Sequence, residues 1–184
     1  MNMIRTKAGF VLIFACLGAV ACTKSLIGVT SQKGPVAIAT IAPLGENTVK
    51  GTFTARENKS GAVTVEIQVE GLTPGKHGSH IHSGGSCADA GKAAGPHWDP
   101  NTTNKHGNPK DPATMHHAAD MPNIDVDAQG KGTMRFQTTN FKLSDLAGKT
   151  LIVHEKTDNY MDSPANGGSG PRIGCGVIQV SGGQ

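Results

Sequence analysis

Between Ala62 and Val69 the chain alternates without a break. Val63, Val65, Ile67 and Val69 fall on one side, and Thr64, Glu66 and Gln68 on the other. A period of two is the repeat of a β-strand, whose successive side chains point to opposite faces. One apolar and one polar face mark a strand half-buried in an antiparallel sheet. Such a strand cannot bury its apolar face alone, so the chain must supply partners. Val36–Ile41 and Thr48–Ala55 precede it, and Thr133–Thr138, Thr150–His154 and Gly174–Val180 follow. Turn-forming clusters separate the segments: Pro43-Leu-Gly45, Asn58-Lys-Ser-Gly61, Gly71-Leu-Thr-Pro-Gly75 and Ala128-Gln-Gly130. A helical turn is expected only at Ser144–Ala147. The predicted fold is all-β, a sandwich or flattened barrel of about eight short strands.

The patterning stops from Ser83 to Asn123, about 40 residues rich in Gly, Pro, Asn, Asp and His. Loops of that length are uncommon in compact domains unless they are functional or disordered. A second Gly/Pro-rich loop runs from Asn159 to Pro171. All eight histidines fall between His77 and His154. Imidazole is the commonest metal-ligand side chain, so the clustering points to metal. Gly78-Ser79-His80-Ile81-His82 reads as a strand on which His80 and His82 share a face and Ile81 takes the other. That is half a metal site on a rigid support.

The start of the chain sets the compartment. Arg5 and Lys7 precede an apolar run from Ala8 to Ala21, the pattern of a secretory leader over residues 1–21. The run is too short to span a bilayer. Ala19-Val20-Ala21 suits ordinary leader cleavage. Small residues before Cys22 also resemble a bacterial lipobox, with Ala19 where Leu is usual. Cys22 is read as a lipidation site, and residues 22–34 as an anchor and polar tether before one domain at 35–184. Thr23 after the cysteine, rather than Asp, suggests the outer membrane. Cys16 leaves with the leader. Export implies an oxidising compartment, so Cys87 and Cys175 read as a disulfide, two buried thiols being the alternative. The formal charge is only +3 and no dense basic run occurs, which gives no support to nucleic-acid binding. No nucleophilic triad, phosphate loop or paired acid/base carboxylates compete for a catalytic role.

Six blocks, in order, are more specific. Gly71-Leu-Thr-Pro-Gly-Lys-His77-Gly-Ser-His80-Ile-His82 is the first, Gly95-Pro-His97-Trp-Asp-Pro the second and Lys105-His106-Gly-Asn-Pro the third. His117-Ala-Ala-Asp120-Met-Pro-Asn123, Val153-His154-Glu-Lys-Thr-Asp158-Asn-Tyr160 and Pro171-Arg172-Ile-Gly-Cys175-Gly-Val-Ile178 complete the set. Together they resemble the signature of the copper,zinc superoxide dismutases over about residues 35 to 181. The resemblance implies an eight-stranded Greek-key β-barrel with two long functional loops. It implies copper held by His80, His82, His97 and His154, and zinc held by His97, His106, His117 and Asp120. His97 would bridge the metals as an imidazolate and carry a proton in the reduced state. All-nitrogen ligation suits copper, and a closed N₃O set suits zinc. Asp158 would link a copper histidine to a zinc histidine. Arg172 would draw superoxide to the open copper position. The implied activity is dismutation of superoxide to oxygen and hydrogen peroxide, with zinc structural. The implied setting is the bacterial periplasm.

Each position has a plainer alternative. His77 is of opposite parity to His80 and His82, and in the family that position bonds backbone. His116 adjoins His117, and the family's H-x-G-D block places the ligand three residues before Asp120, hence His117. Asp99 is read as a loop cap, and Met115 and Met121 as packing. Three departures stand out. Ser79 occupies a position where the family carries a bulky side chain, Ala119 replaces a glycine, and Asn159 replaces a second acid. The alternative function is a non-enzymatic copper/zinc buffer on the same fold, which would need neither Arg172 nor the His97 bridge. The sequence leaves monomer and homodimer open.

Overall fold

The computed structural model describes residues 34–103, 105–111, 115–164 and 166–182. The expected leader, Cys22 and the tether up to Lys33 lie outside the described residues. Ten strands run β1 Val36–Pro43, β2 Lys50–Glu57, β3 Val63–Glu70, β4 Gly75–His77, β5 Ser79–His82, β6 Ile124–Val126, β7 Lys131–Thr138, β8 Thr150–His154, β9 Arg172–Val177 and β10 Gln179–Ser181. The pairings are antiparallel, in the order β4-β6-β7-β3-β2-β1-β9-β8-β5, with β10 on β1. The alternation of β3 does what its pattern dictates. Val63, Val65, Ile67 and Val69 are buried in one core with Ile41, Phe53, Met121, Ile124 and Leu151.

The ten strands amount to eight extended segments. Gly78 alone interrupts β4–β5, and Ile178 alone interrupts β9–β10. Counted this way, the order round the barrel is 1-2-3-6-5-4-7-8, a Greek-key path. The strands at the two ends of the sheet, β4 and β5, are neighbours in the chain. One continuous segment therefore closes the barrel. It changes partners at Gly78, whose N–H donates to the Lys156 carbonyl (2.8 Å) and whose carbonyl accepts from the His154 N–H (2.9 Å). A Cβ at residue 78 would lie 2.6 Å from Ser169 Oγ, so the crossing needs glycine.

Two details differ from the sequence expectation. β6 appears as a three-residue strand, and a 3₁₀ turn at Lys92–Ala94 interrupts the long loop. Elements of three residues are too short to show a period. The helical turn expected at Ser144–Ala147 is a 3₁₀ turn at Leu143–Leu146.

Candidate metal centre

Strand β5 emerges from the barrel closure with Ser79 and Ile81 turned inward and His80 and His82 turned out. It pairs with β8 along one edge, where Ile152 faces His80. The long loop covers the other edge. Trp98 N–H donates to the Ile81 carbonyl (2.9 Å), and Ile81 N–H donates to that of Ala119 (3.2 Å). Isolated bridges pair His82 with His97 and His80 with Asp120. The loop residues beside β5 are thus held by backbone hydrogen bonds, which is why a segment without periodicity places side chains firmly.

The imidazoles converge. Ring centroids of His80 and His97 are 4.1 Å apart, those of His82 and His97 4.9 Å, and those of His80 and His154 5.0 Å. On the far side of His97, His106 lies at 5.3 Å and His117 at 5.4 Å. One ligand atom each from His80, His82, His97 and His154 lies within 4.8 Å of the others. Around Asp120 Oδ1 stand His106 Nδ1 at 2.9 Å, His97 Nδ1 at 3.3 Å and His117 Nδ1 at 3.4 Å. Distance alone groups His80 with His97, His106 and Asp120 on this second side and omits His117. Chemistry argues for His117. His80 has one nitrogen on Asp158, and its other cannot serve both groups. His116 turns away, its Nδ1 2.8 Å from the His117 carbonyl oxygen.

The remaining ring nitrogens are accounted for one by one. His80 Nε2 donates to Asp158 Oδ2 (2.7 Å), His82 Nδ1 to the Gly95 carbonyl (2.8 Å) and His154 Nδ1 to the Gly170 carbonyl (3.1 Å). His106 Nε2 donates to Asp158 Oδ1 (2.9 Å). That fixes the tautomers of His80, His82 and His154 and leaves their other nitrogens bare, while His106 Nδ1 faces Asp120 Oδ1. His80 Nδ1, His82 Nε2, His154 Nε2 and His97 Nε2 are buried without a hydrogen-bond partner, and His106 Nδ1 and His97 Nδ1 have only the Asp120 carboxylate beside them. Buried polar atoms are normally satisfied. Four bare imidazole nitrogens on one side of His97, and two sharing Asp120 Oδ1 on the other, fit two metal ions with His97 between them. Each outer nitrogen already has the partner that orients a metal-ligating histidine.

Electrostatics separate the two sides of His97. Burial, and then the neighbouring His97, depress His82 to about 2. Burial and His80 bring His154 to about 3. Burial outweighs the Asp120 contact at His97, which falls to about 4. These three rings are neutral near pH 7, with lone pairs free. Burial pulls His106 down as well, but Asp120 and Asp158 overcome it and raise it to about 9. Burial would raise both carboxyls, yet their histidine partners hold Asp120 and Asp158 well below the usual carboxylate range.

Asp158 is 1% exposed and sits between His80 and His106. Gly167 makes room for it. A Cβ there would fall 1.8 Å from Asp158 Oδ1, and the residue's φ is +62°. A cavity of about 730 Å³ opens onto the centre, lined by His82, His97, His154, Trp98, Asn166 and Arg172. Arg172 Nη1 donates to the Gly91 carbonyl (2.5 Å) and Nη2 to that of Gly95 (2.7 Å). Both carbonyls belong to the loop that the Cys87–Cys175 disulfide ties to β9. His77 lies apart, its ring nitrogens 3.0 Å and 2.9 Å from the carbonyl oxygens of His154 and Thr73. Asp99 accepts from Thr103 Oγ1 within its loop. Met121 is buried in the core and Met115 is exposed. Sequence reasoning gave no role to Gly91, Gly95, Asn123, Tyr160 or Gly167. The first two act through their carbonyls, which no side chain announces.

Comparison with known proteins gives one consistent answer. Residues 49–178 match the family described as copper/zinc superoxide dismutase (SODC). The chain is 41% identical over 138 residues to the superoxide dismutase [Cu-Zn] of Photobacterium leiognathi, covering 70% of this chain and 78% of the relative. It is 37% identical over 159 residues to that of Actinobacillus pleuropneumoniae, covering 80% and 82%. It is 39% identical over 144 residues to superoxide dismutase [Cu-Zn] A of Xenopus laevis, covering 73% and 91%.

Proposed function

The chain belongs to the copper/zinc superoxide dismutase family, and from that premise we propose which of its residues perform the dismutation of superoxide to oxygen and hydrogen peroxide. The enzyme uses copper and zinc. We assign copper to His80, His82, His97 and His154, and zinc to His97, His106, His117 and Asp120. Copper, when bound, supplies the one-electron redox couple that the reaction needs. The observation that carries the assignment is the set of six buried imidazole nitrogens, four with no partner and two with only Asp120 beside them. His97 is the member that contributes both ring nitrogens to this set, which suits a bridge. Its Nδ1 lies on the Asp120 side, leaving Nε2 for the copper group and for holding a proton at the cavity wall.

The protein's other residues prepare the site. Asp158 accepts from His80 and His106 and so fixes one ring on each side of His97. Arg172 offers a fixed positive charge to a small anion entering the cavity. A metal buffer would have no use for a guanidinium held by two carbonyls at the cavity wall. The bacterial relatives and the leader pattern of residues 1–21 support a periplasmic enzyme, and the small residues before Cys22 support an anchor to the outer membrane through that cysteine. The decisive experiment is His97→Ala on protein loaded with both metals. We expect loss of most dismutation and of stoichiometric metal content. Full activity with both metals retained would overturn the assignment.

A further inference from the structure

The Asp158 carboxylate is held by more than the two histidines. Tyr160 N–H donates to Asp158 Oδ1 at 2.7 Å. This turn two residues on is followed by a left-handed backbone, since Tyr160 has φ +60°. Glycine or asparagine is the ordinary occupant of such a position, so a tyrosine there asks for a reason. Its hydroxyl supplies one. The Tyr160 hydroxyl accepts from Asn123 N–H (2.8 Å) and from Asn123 Nδ2 (3.0 Å). Asn123 in turn reads the backbone of Asp158 at both groups. Its Nδ2 donates to the Asp158 carbonyl (2.9 Å), and its Oδ1 accepts from the Asp158 N–H (2.8 Å). The three residues close a ring that joins the second loop to the segment three residues beyond Asp120.

We propose that Tyr160 and Asn123 are positioning residues that hold the Asp158 carboxylate in the one orientation able to accept from His80 and His106 together. Asn123 fixes where Asp158 stands, and Tyr160 N–H fixes how its carboxylate turns. The hydrogen bonds of the Asn123 and Tyr160 side chains go to each other and to the Asp158 backbone, and both side chains are only half-buried. The effect of the ring reaches the metals through Asp158. The inference rests on the assignment of His80 to copper and His106 to zinc.

The test uses the full, metal-loaded protein with Tyr160→Phe, Asn123→Ser and the double variant. Three readouts are taken under conditions where circular dichroism shows every protein folded. They are zinc release to a chromophoric chelator, the copper visible spectrum and the copper electron paramagnetic resonance spectrum. Tyr160→Phe keeps the aromatic side chain and the backbone N–H and removes only the hydroxyl that accepts from Asn123. Zinc is expected to leave it about tenfold faster, the lower end of what losing an outer partner costs a metal site. The copper spectra shift with it, because His80 shares the carboxylate. Asn123→Ser gives the same changes, and the double variant is no worse than the worse single, as members of one ring act as a unit. Parent-like zinc release and copper spectra in the folded single variants overturn the proposal. So do losses that multiply in the double variant. A parent protein that takes up neither metal defeats the reading of the centre itself, and the positioning role falls with it.

Discussion

At the scale of single residues, Arg172 and Ser79 make opposite predictions. The Arg172 guanidinium is clamped to Gly91 and Gly95, so its charge has a fixed place at the cavity wall. A fixed charge in a cleft raises the capture rate of an oppositely charged substrate by about 10- to 1,000-fold, a range to which superoxide dismutases themselves contributed. Arg172→Glu should lower the second-order rate constant by about tenfold or more while copper content stays at the parent value. Arg172→Lys should cost less, keeping charge but losing the fork that fits two carbonyls. Pulse radiolysis on protein of verified metal content checks both, and an unchanged rate in Arg172→Glu would remove the guiding role. Ser79 is the reverse case. It is fully buried, and its hydroxyl has no hydrogen-bond partner. An unsatisfied buried hydroxyl costs about 1–3 kcal/mol, so Ser79→Ala should raise stability by about 1 kcal/mol, read from urea midpoints. A lower midpoint would mean the hydroxyl is satisfied in solution.

At the scale of elements, the sequence was legible where the chain repeats and silent where it does not. β3 showed its inward face because four apolar residues alternate with three polar ones. β6 did not show itself, because Ile124–Val126 has no room for a period. The partner change at Gly78 is a property of the closed barrel, and no local pattern encodes it. The clustered histidines were legible because histidine is rare and its chemistry narrow. The Asn123–Tyr160 ring was not, because a hydrogen bond across 37 positions leaves no local signal. The loop from Ser83 to Gly95 shows the same limit. Its disulfide could be inferred from two cysteines in a chain that opens with a leader pattern, but its use could not. Cys87–Cys175 holds the loop whose carbonyls hold Arg172, so breaking it should act on the guanidinium before the metals. Cys87→Ser with Cys175→Ser should therefore lower the rate constant while copper and zinc remain. The variant also reopens a loop of 88 residues, which the chain-entropy estimate values at about 4–5 kcal/mol. A variant with parent-like kinetics would show that the loop holds its course without the bridge.

At the scale of the whole molecule, charge and proton balance decide how the protein meets its surroundings. The net charge of the sequence is small, +3, so attraction of superoxide depends on the cavity more than on the global field. The rate should fall as salt rises, since screening shortens from about 30 Å at 0.01 M to about 8 Å at 0.15 M. The fall should be much shallower in Arg172→Glu. The proton balance of the metal-stripped protein gives a sharper expectation. His82, His97 and His154 have folded values of about 2, 4 and 3, all below the ordinary histidine value. Between those values and about 6.5 the unfolded chain binds more protons than the folded one, so stability falls as pH falls. Asp120 and Asp158, held low by their histidines, add to the loss once pH drops below about 4. His106 has the opposite sign. Its folded value, about 9, lies above the unfolded one. Its contribution is complete below about 6.5 and disappears as pH rises through about 9. Three histidines act on the acid side and one on the alkaline side. Urea midpoints of the metal-stripped protein should therefore peak near pH 6.5 and fall more steeply toward pH 4.5 than toward pH 9. Bound copper and zinc need the same nitrogens bare. Under the proposed assignment, loading both should flatten the alkaline limb, because zinc would take the place of a proton on His106. A metal-stripped protein that gains stability from pH 6.5 to pH 9 would show that His106 is not protonated between Asp120 and Asp158.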